Sequence, residues 1–309
     1  MKRLARELSS LKGKTLVLTH ALADLDACAS AIVLARALHA QARCPDKPTA
    51  SAKHALEALG FSIAALGAKE KFDNLILVDV SNVDLLGDAP VKGYKRVIVI
   101  DHHFHSKPLK ADYSHIERER PSCAEIIHSV CLELGRAPDA RESALLLAGI
   151  IHDTAFFKSA DSRTLQTAAR LSVKADYRSV LAACRVRRDK SEVNGVFAAL
   201  GKARLLEANG LIVGVTATNA FELACAAALV DAGCDYGVAL NAKQGRMSCV
   251  KAVGAKGNAG KTMEAAGKAF GGSGGGHEHA AGARGTPEKS SKALKTALKH
   301  LLLLSNNNL

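Results

Sequence analysis

Hydrophobic and polar positions follow two regimes along this chain. In the first, short aliphatic runs break off into acids and imidazoles. Thr15-Leu16-Val17-Leu18 leads to His20, Leu75-Ile76-Leu77-Val78 to Asp79, and Val97-Ile98-Val99-Ile100 to Asp101-His102-His103. Uninterrupted aliphatic runs of this length read as strands buried on both faces, and so as members of a parallel sheet. Open α/β sheets carry their chemistry at the strands' carboxyl ends, where these polar residues fall. Between the runs, residues 26–38 are small and apolar on nearly every side, which predicts a helix packed hard against the sheet. A short basic helix is expected over 1–12 and others over 55–66, 121–134, 141–152, 162–175 and 177–184, with Pro121 at the start of the third and Asp153 at the end of the fourth. Residues 41–53 show no readable period.

The second regime follows a basic run, Arg185-Val186-Arg187-Arg188-Asp189-Lys190. It reads as strand 211–216, helix 221–232, strands 236–241 and 247–252, helix 262–270, the glycine run Gly271–Gly276 with His277, and a closing helix 289–304. Ala280-Ala281-Gly282 is expected at a helix start. The predicted organisation is α/β throughout. Residues 1–184 form a mostly parallel sheet with helices on both faces, 185–208 a basic linker and helix, and 209–305 a smaller α/β unit.

Composition narrows the function. The chain has 309 residues, 48% of them hydrophobic, enough for two ordinary cores. Its formal net charge of +12 favours an anionic partner, nucleic acid or nucleotide. Aromatic residues are 4% and Trp is absent, so there are few platforms for base stacking. The eight cysteines form no C-x-x-C pair and read as reduced and structural, and no segment reads as a signal peptide or membrane span. The expectation is a cytoplasmic protein with no membrane role.

The order His20-x-x-x-Asp24-x-Asp26, lone Asp79, Asp101-His102-His103, helix-borne Asp153, then Gly274-Gly275-Gly276-His277 with Ala280-Ala281-Gly282 resembles the DHH phosphoesterase superfamily with its DHH-associated C-terminal domain, of the RecJ-like or short-oligonucleotide hydrolase type. The resemblance covers nearly the whole chain. It implies a two-metal hydrolase in which His20 and Asp24 hold one ion, Asp26, His102 and Asp153 the other, and Asp79 bridges. Such a site needs hard oxygen donors, a shared carboxylate and a few imidazoles, because closely spaced ions must share a ligand and activate a water together. With carboxylates and imidazoles and no thiolate, the expected cofactor is a pair of Mn²⁺ ions, with Mg²⁺ or Co²⁺ as substitutes.

The resemblance further implies that Asp101 orients an imidazole and that His103 contacts phosphate, both counted as catalytic. Gly274, Gly275, Gly276, His277 and Arg284 are the expected substrate-binding residues. Family members often carry a Ser-x-Arg-Ser strand before the glycine loop, but this chain has Met247-Ser248-Cys249-Val250-Lys251, which leaves Arg246 or Lys251 as the replacement. The implied substrate is a short oligonucleotide or nucleotide, and a homodimer is compatible with the resemblance. A cyclic-dinucleotide phosphodiesterase or a 3′-phosphoadenosine 5′-phosphate phosphatase are alternatives within the class. A non-catalytic nucleic-acid-binding module is the alternative outside it.

Overall fold

The computed structural model describes residues 1–68, 70–80, 82–103, 109–185, 189–208 and 210–303. The chain divides into two compact units between residues 186 and 187. Among the described residues the first unit contains α1 (Lys2–Ser9), β1 (Thr15–Leu18), α2 (Leu25–Ala37), β2 (Gln41–Cys44), α3 (Ala50–Ala58), β3 (Ala64–Ala65), β4 (Asn74–Val78), β5 (Arg96–Asp101), β6 (Tyr113–Ile116), α4 (Cys123–Glu133), α5 (Ala140–Asp153), α6 (Ser162–Ser172) and α7 (Tyr177–Cys184). Its six strands form a parallel sheet in the order β3-β2-β1-β4-β5-β6.

Alternation along the central strands sorts the core into two layers. Val17, Ile76, Val78, Ile98 and Ile100 pack with the helices, Ile32, Ile127, Leu146 and Ile150 among them. Leu16, Leu18, Leu75, Leu77 and Val99 face the other way, against Leu66, Phe72, Leu86, Val91, Tyr94 and Leu109. Leu86, directly after the 3-10 turn Val83–Leu85, belongs to that second layer. The strand order reverses its direction of growth between β1 and β4, the kind of switch point at which open α/β sheets form a crevice.

The second unit contains α8 (Lys190–Leu200), β7 (Arg204–Ala208), β8 (Leu211–Ala217), α9 (Glu222–Asp231), β9 (Tyr236–Asn241), β10 (Arg246–Lys251), α10 (Ala259–Phe270), β11 (Ser273–Gly276), β12 (Ala280–Arg284) and α11 (Ser290–Leu303). Its sheet runs β11-β12-β10-β9-β8-β7, parallel only between β8 and β9. Within residues 190–208, expected as part of a basic linker and helix, α8 is a helix and β7 an edge strand of this sheet. Ala280-Ala281-Gly282 lies on β12 and not at a helix start, because it forms an antiparallel hairpin with the glycine strand. Arg187, Arg188 and the tail 304–309 lie outside the described residues.

The glycine strand is shaped by contact. A Cβ on Gly274 would stand 1.9 Å from the Met263 carbonyl oxygen of α10, so that position must be bare for helix and strand to meet. Gly275 looks into open space but has φ +153°, a conformation L side chains rarely adopt. All eight cysteines are free thiols, and all but Cys184 are fully buried. No helix among the described residues is long and apolar enough to cross a membrane.

Candidate metal centre

The strand ends and helix termini of the first unit bring the expected acids and imidazoles together. Asp79 follows β4, and its amide continues the ladder to the Ile100 carbonyl at 2.9 Å. Its φ of +58° is left-handed, a region where Asp is among the better-tolerated non-glycine residues and where strain gathers at functional sites. Only 3% of the side chain is exposed. His20 Nε2 lies 3.7 Å from one carboxylate oxygen and His102 Nε2 3.2 Å from the other, while Asp153 approaches His102 Nε2 at 3.3 Å. Both Asp79 Oδ1 and His102 Nε2 are buried without a hydrogen-bond partner.

Neighbouring groups fix these orientations. His102 Nδ1 lies 2.9 Å from the Arg120 carbonyl, which can only accept, so the proton sits on Nδ1 and Nε2 is the nitrogen turned to the acids. The Asp101 Oδ1 atom accepts from the His102 amide at 2.7 Å, the His103 amide at 3.1 Å and His103 Nδ1 at 2.9 Å. Asp101 therefore holds the half-exposed His103 ring.

Two of the acids also organise helices. Asp24 caps α2, accepting from Ala27 N at 3.0 Å. Asp26 is fully buried and receives the Cys123 and Ala124 amides at 2.7 and 2.9 Å, which anchors the start of α4 through both oxygens. A Cβ on Gly149 of α5 would stand 2.9 Å from Asp26 Oδ1, so the bare position lets α5 close on that carboxylate. Beyond Asp153, Thr154 Oγ1 donates to Ile150 O, and Ala155, Phe156 and Phe157 all have positive φ, 47°, 60° and 66°. Three successive left-handed non-glycine residues cost about 1–2 kcal/mol each, offset by the structure that ends α5.

The electrostatics of the cluster follow from burial and from these close pairings. Burial pulls the His102 imidazole down, yet Asp153 and Asp79 outweigh it and raise the pKa to about 11. Burial pushes the Asp79 carboxyl up, but His102 and His20 bring it to about 2. Asp24 and Asp26 are both raised, first by burial and then by neighbouring acids. The His103 imidazole is raised by Asp101 against the effect of burial. Ligand atoms of His20, Asp24 and Asp79 lie within 4.8 Å of one another, as do those of Asp26, His102 and Asp153, and those of Asp79, Asp101, His102 and His103. Oxygen and imidazole donors, with buried orphan atoms facing one another, fit divalent ions.

His152 joins this neighbourhood too, within 4.8 Å of Asp24 and Asp153 ligand atoms. None of the sequence motifs contains it, and its position directly before Asp153 is the signal in the sequence. His115 is on β6 and paired with Glu117 at 2.8 Å. His105 lies outside the described residues.

In the second unit, Gly274, Gly275 and Arg284 line a cavity of about 440 Å³ with Glu222, Arg246 and Ser248. Arg246 and Arg284 are directly opposed across β10 and β12. Gly276 and His277 do not line the cavity; the exposed His277 stands at the hairpin turn, its amide bonded to the Ala280 carbonyl at 2.9 Å. Lys251 faces the other side, buried and paired with Glu278, which leaves Arg246 as the basic residue of that strand on the cavity.

A parallel sheet with carboxylates and imidazoles at its strand ends, followed by a mixed α/β unit, defines a class of phosphoesterase. Residues 14–150 match the DHH family, N-terminal domain, and residues 222–302 the DHHA1 domain. This chain belongs to the DHH superfamily, whose enzymes are hydrolases acting on phosphoester bonds. It is 31% identical over 219 residues to an uncharacterized protein of Methanocaldococcus jannaschii, the match covering 68% of this chain and 66% of that relative. An exopolyphosphatase-related protein from Bacteroides fragilis shares the fold, with a TM-score of 0.77 and 16% identity over 99% of this chain and 97% of its own. So does RecJ from Thermus thermophilus, solved in complex with Mn²⁺, with a TM-score of 0.57 and 16% identity over 97% of this chain and 54% of RecJ.

Proposed function

We propose that the protein cleaves phosphodiester bonds of short oligonucleotides with two divalent ions. The observation that carries this reading is the pair of buried, unpartnered atoms, Asp79 Oδ1 and His102 Nε2, 3.2 Å apart among further acids. The same acids, Asp153 and Asp79, raise the His102 imidazole against the effect of burial, a field that suits cations. His20, Asp24 and Asp79 would hold one ion, and Asp26, His102 and Asp153, with Asp79 shared, the other. The donor set suits Mn²⁺, with Mg²⁺ or Co²⁺ as substitutes, and RecJ of the same fold was solved with Mn²⁺. Such ions supply charge neutralisation for a phosphoryl group and acidify an attacking water.

The remaining roles belong to side chains. His103, held by Asp101 and biased toward its protonated form, presents a donor to a phosphoryl oxygen. Asp101 is a positioning residue, with its oxygen committed to the His103 ring and two amides. In the second unit Arg246 and Arg284 suit a terminal phosphate, and the cavity of about 440 Å³ fits a nucleotide, not a long strand. His277, exposed at the hairpin turn, is assigned to substrate contact as well.

The test is a panel of di- to pentanucleotides, long single strands, cyclic di-AMP and 3′-phosphoadenosine 5′-phosphate, assayed with Mn²⁺ for the wild type and Asp79→Asn. The expected result is fastest turnover of the short oligonucleotides and a loss on the order of 10²–10³-fold or more in the variant. Equal activity of the two proteins overturns the metal assignment. Preference for another substrate in the panel overturns the oligonucleotide assignment alone.

A further inference from the structure

We propose that His152, with Asp24 and Asp153, forms a third cation position beside the six-residue set, taking a divalent transition-metal ion such as Mn²⁺ on one imidazole nitrogen and two carboxylates. The proposal rests on the metal reading above and adds a residue to it. One ligand atom from each of the three residues lies within 4.8 Å of the other two, in a group that includes neither Asp79 nor His102. Bonds of about 2.0–2.2 Å allow two donors on one ion to stand up to roughly 4.4 Å apart, so small side-chain adjustments suffice.

A second observation is independent of that spacing. His152 Nδ1 is buried and has no hydrogen-bond partner, a state that costs about 1–3 kcal/mol and that coordination relieves. Placement in the last turn of α5 gives no reason to leave that nitrogen unpartnered in a residue that stands beside two acids. The backbone pins the residue in place: Thr154 Oγ1 bonds Ile150 O at 2.6 Å, and the left-handed turn 155–157 stops α5 directly beyond Asp153.

Charge sets the order of filling. Asp24, Asp26, Asp79 and Asp153 balance two divalent ions, so a third binds more weakly and more strongly once an anionic substrate adds charge. The experiment is an Mn²⁺ titration of the full chain, followed by the electron paramagnetic resonance signal of free ion. The wild type is expected to show two tighter ions and one weaker, and His152→Ala to lose the weaker class with the melting temperature of the metal-free protein retained. His152→Asp, which restores an oxygen donor, should recover it. Superimposable isotherms for wild type and His152→Ala, or only two ions in the wild type at saturation, overturn the proposal. Asp79→Asn separates the two levels: if it too leaves the isotherm unchanged, the two-ion reading falls with it, and if it alone changes the isotherm, only the third position falls.

Discussion

In the first unit, strands β1 and β4 are buried along their whole length, and the acids at its strand ends and helix starts, such as Asp101 and Asp26, are fully buried. In the second, β11 is serine and glycine, β12 is largely alanine, and the close contacts are between backbones. The first unit spends stability on desolvated charge and recovers it through amides, imidazoles and helix termini aimed at each acid. The second gives up side chains so that α10 can lie directly on a strand. The same kind of motif, a short polar or glycine cluster after a strand, thus has opposite physical meanings in the two halves.

The sharpest way to break that contrast is at Gly274. Gly274→Ala places a methyl 1.9 Å from the Met263 carbonyl oxygen, and a loss of about 3 kcal/mol or more is expected in urea unfolding followed by hydrogen exchange of β10 and β12 amides. Gly275→Ala meets no atom and should cost only about 1 kcal/mol, from its φ of +153°. Equal losses would mean that contact with α10 is not what the bare strand serves. In the first unit, Asp26→Ala leaves the Cys123 and Ala124 amides buried and unpaired. A destabilisation of about 2–3 kcal/mol is expected, concentrated in α4, and visible by hydrogen exchange even with no metal added. Unchanged α4 protection would show that this carboxylate serves ligation alone.

The smallest effect is pH-dependent. Burial, then Arg170, Arg120 and Lys174, lowers the His128 imidazole from 6.5 to about 4. Between those values the unfolded chain binds the extra proton, so His128 makes stability fall as pH drops through 6.5 toward 4. The loss is roughly 1 kcal/mol at pH 5.5. His128→Phe should remove that part of the slope, read as the difference between wild-type and variant unfolding free energies at pH 7.5 and 5.5.

The contrast also explains what the sequence revealed. β1, β4 and β5 were legible because strands buried on both faces must be aliphatic throughout, and each announces its polar end. β2 and β6 were not, since Gln41–Cys44 and Tyr113–Ile116 are only partly buried and mix charge with apolar residues. β11 has no side-chain period to read, and the alanines of β12 suit a helix equally well until a partner strand is present. The acids and imidazoles that meet in the candidate metal centre were legible as motifs, but the anchoring of α4 by Asp26 was not, because the amides it binds are 97 and 98 positions away. Arg246 and Lys251 could not be separated by composition; alternation along β10 separates them, one lining the cavity and the other buried against Glu278.

The donors of the first unit enter from distant points of the chain, His20 on one side and Asp153 on the other, with Asp79 and His102 between. An ion held among them works as a removable cross-link closing a loop over most of that unit, and its binding free energy is also folding free energy. At 100 times its dissociation constant each ion adds about 2.7 kcal/mol, roughly 5–10 °C in melting temperature for a unit of this size. Melting of the first unit should therefore climb with Mn²⁺ and drop on chelation, while the second, which holds none of these donors, stays where it was.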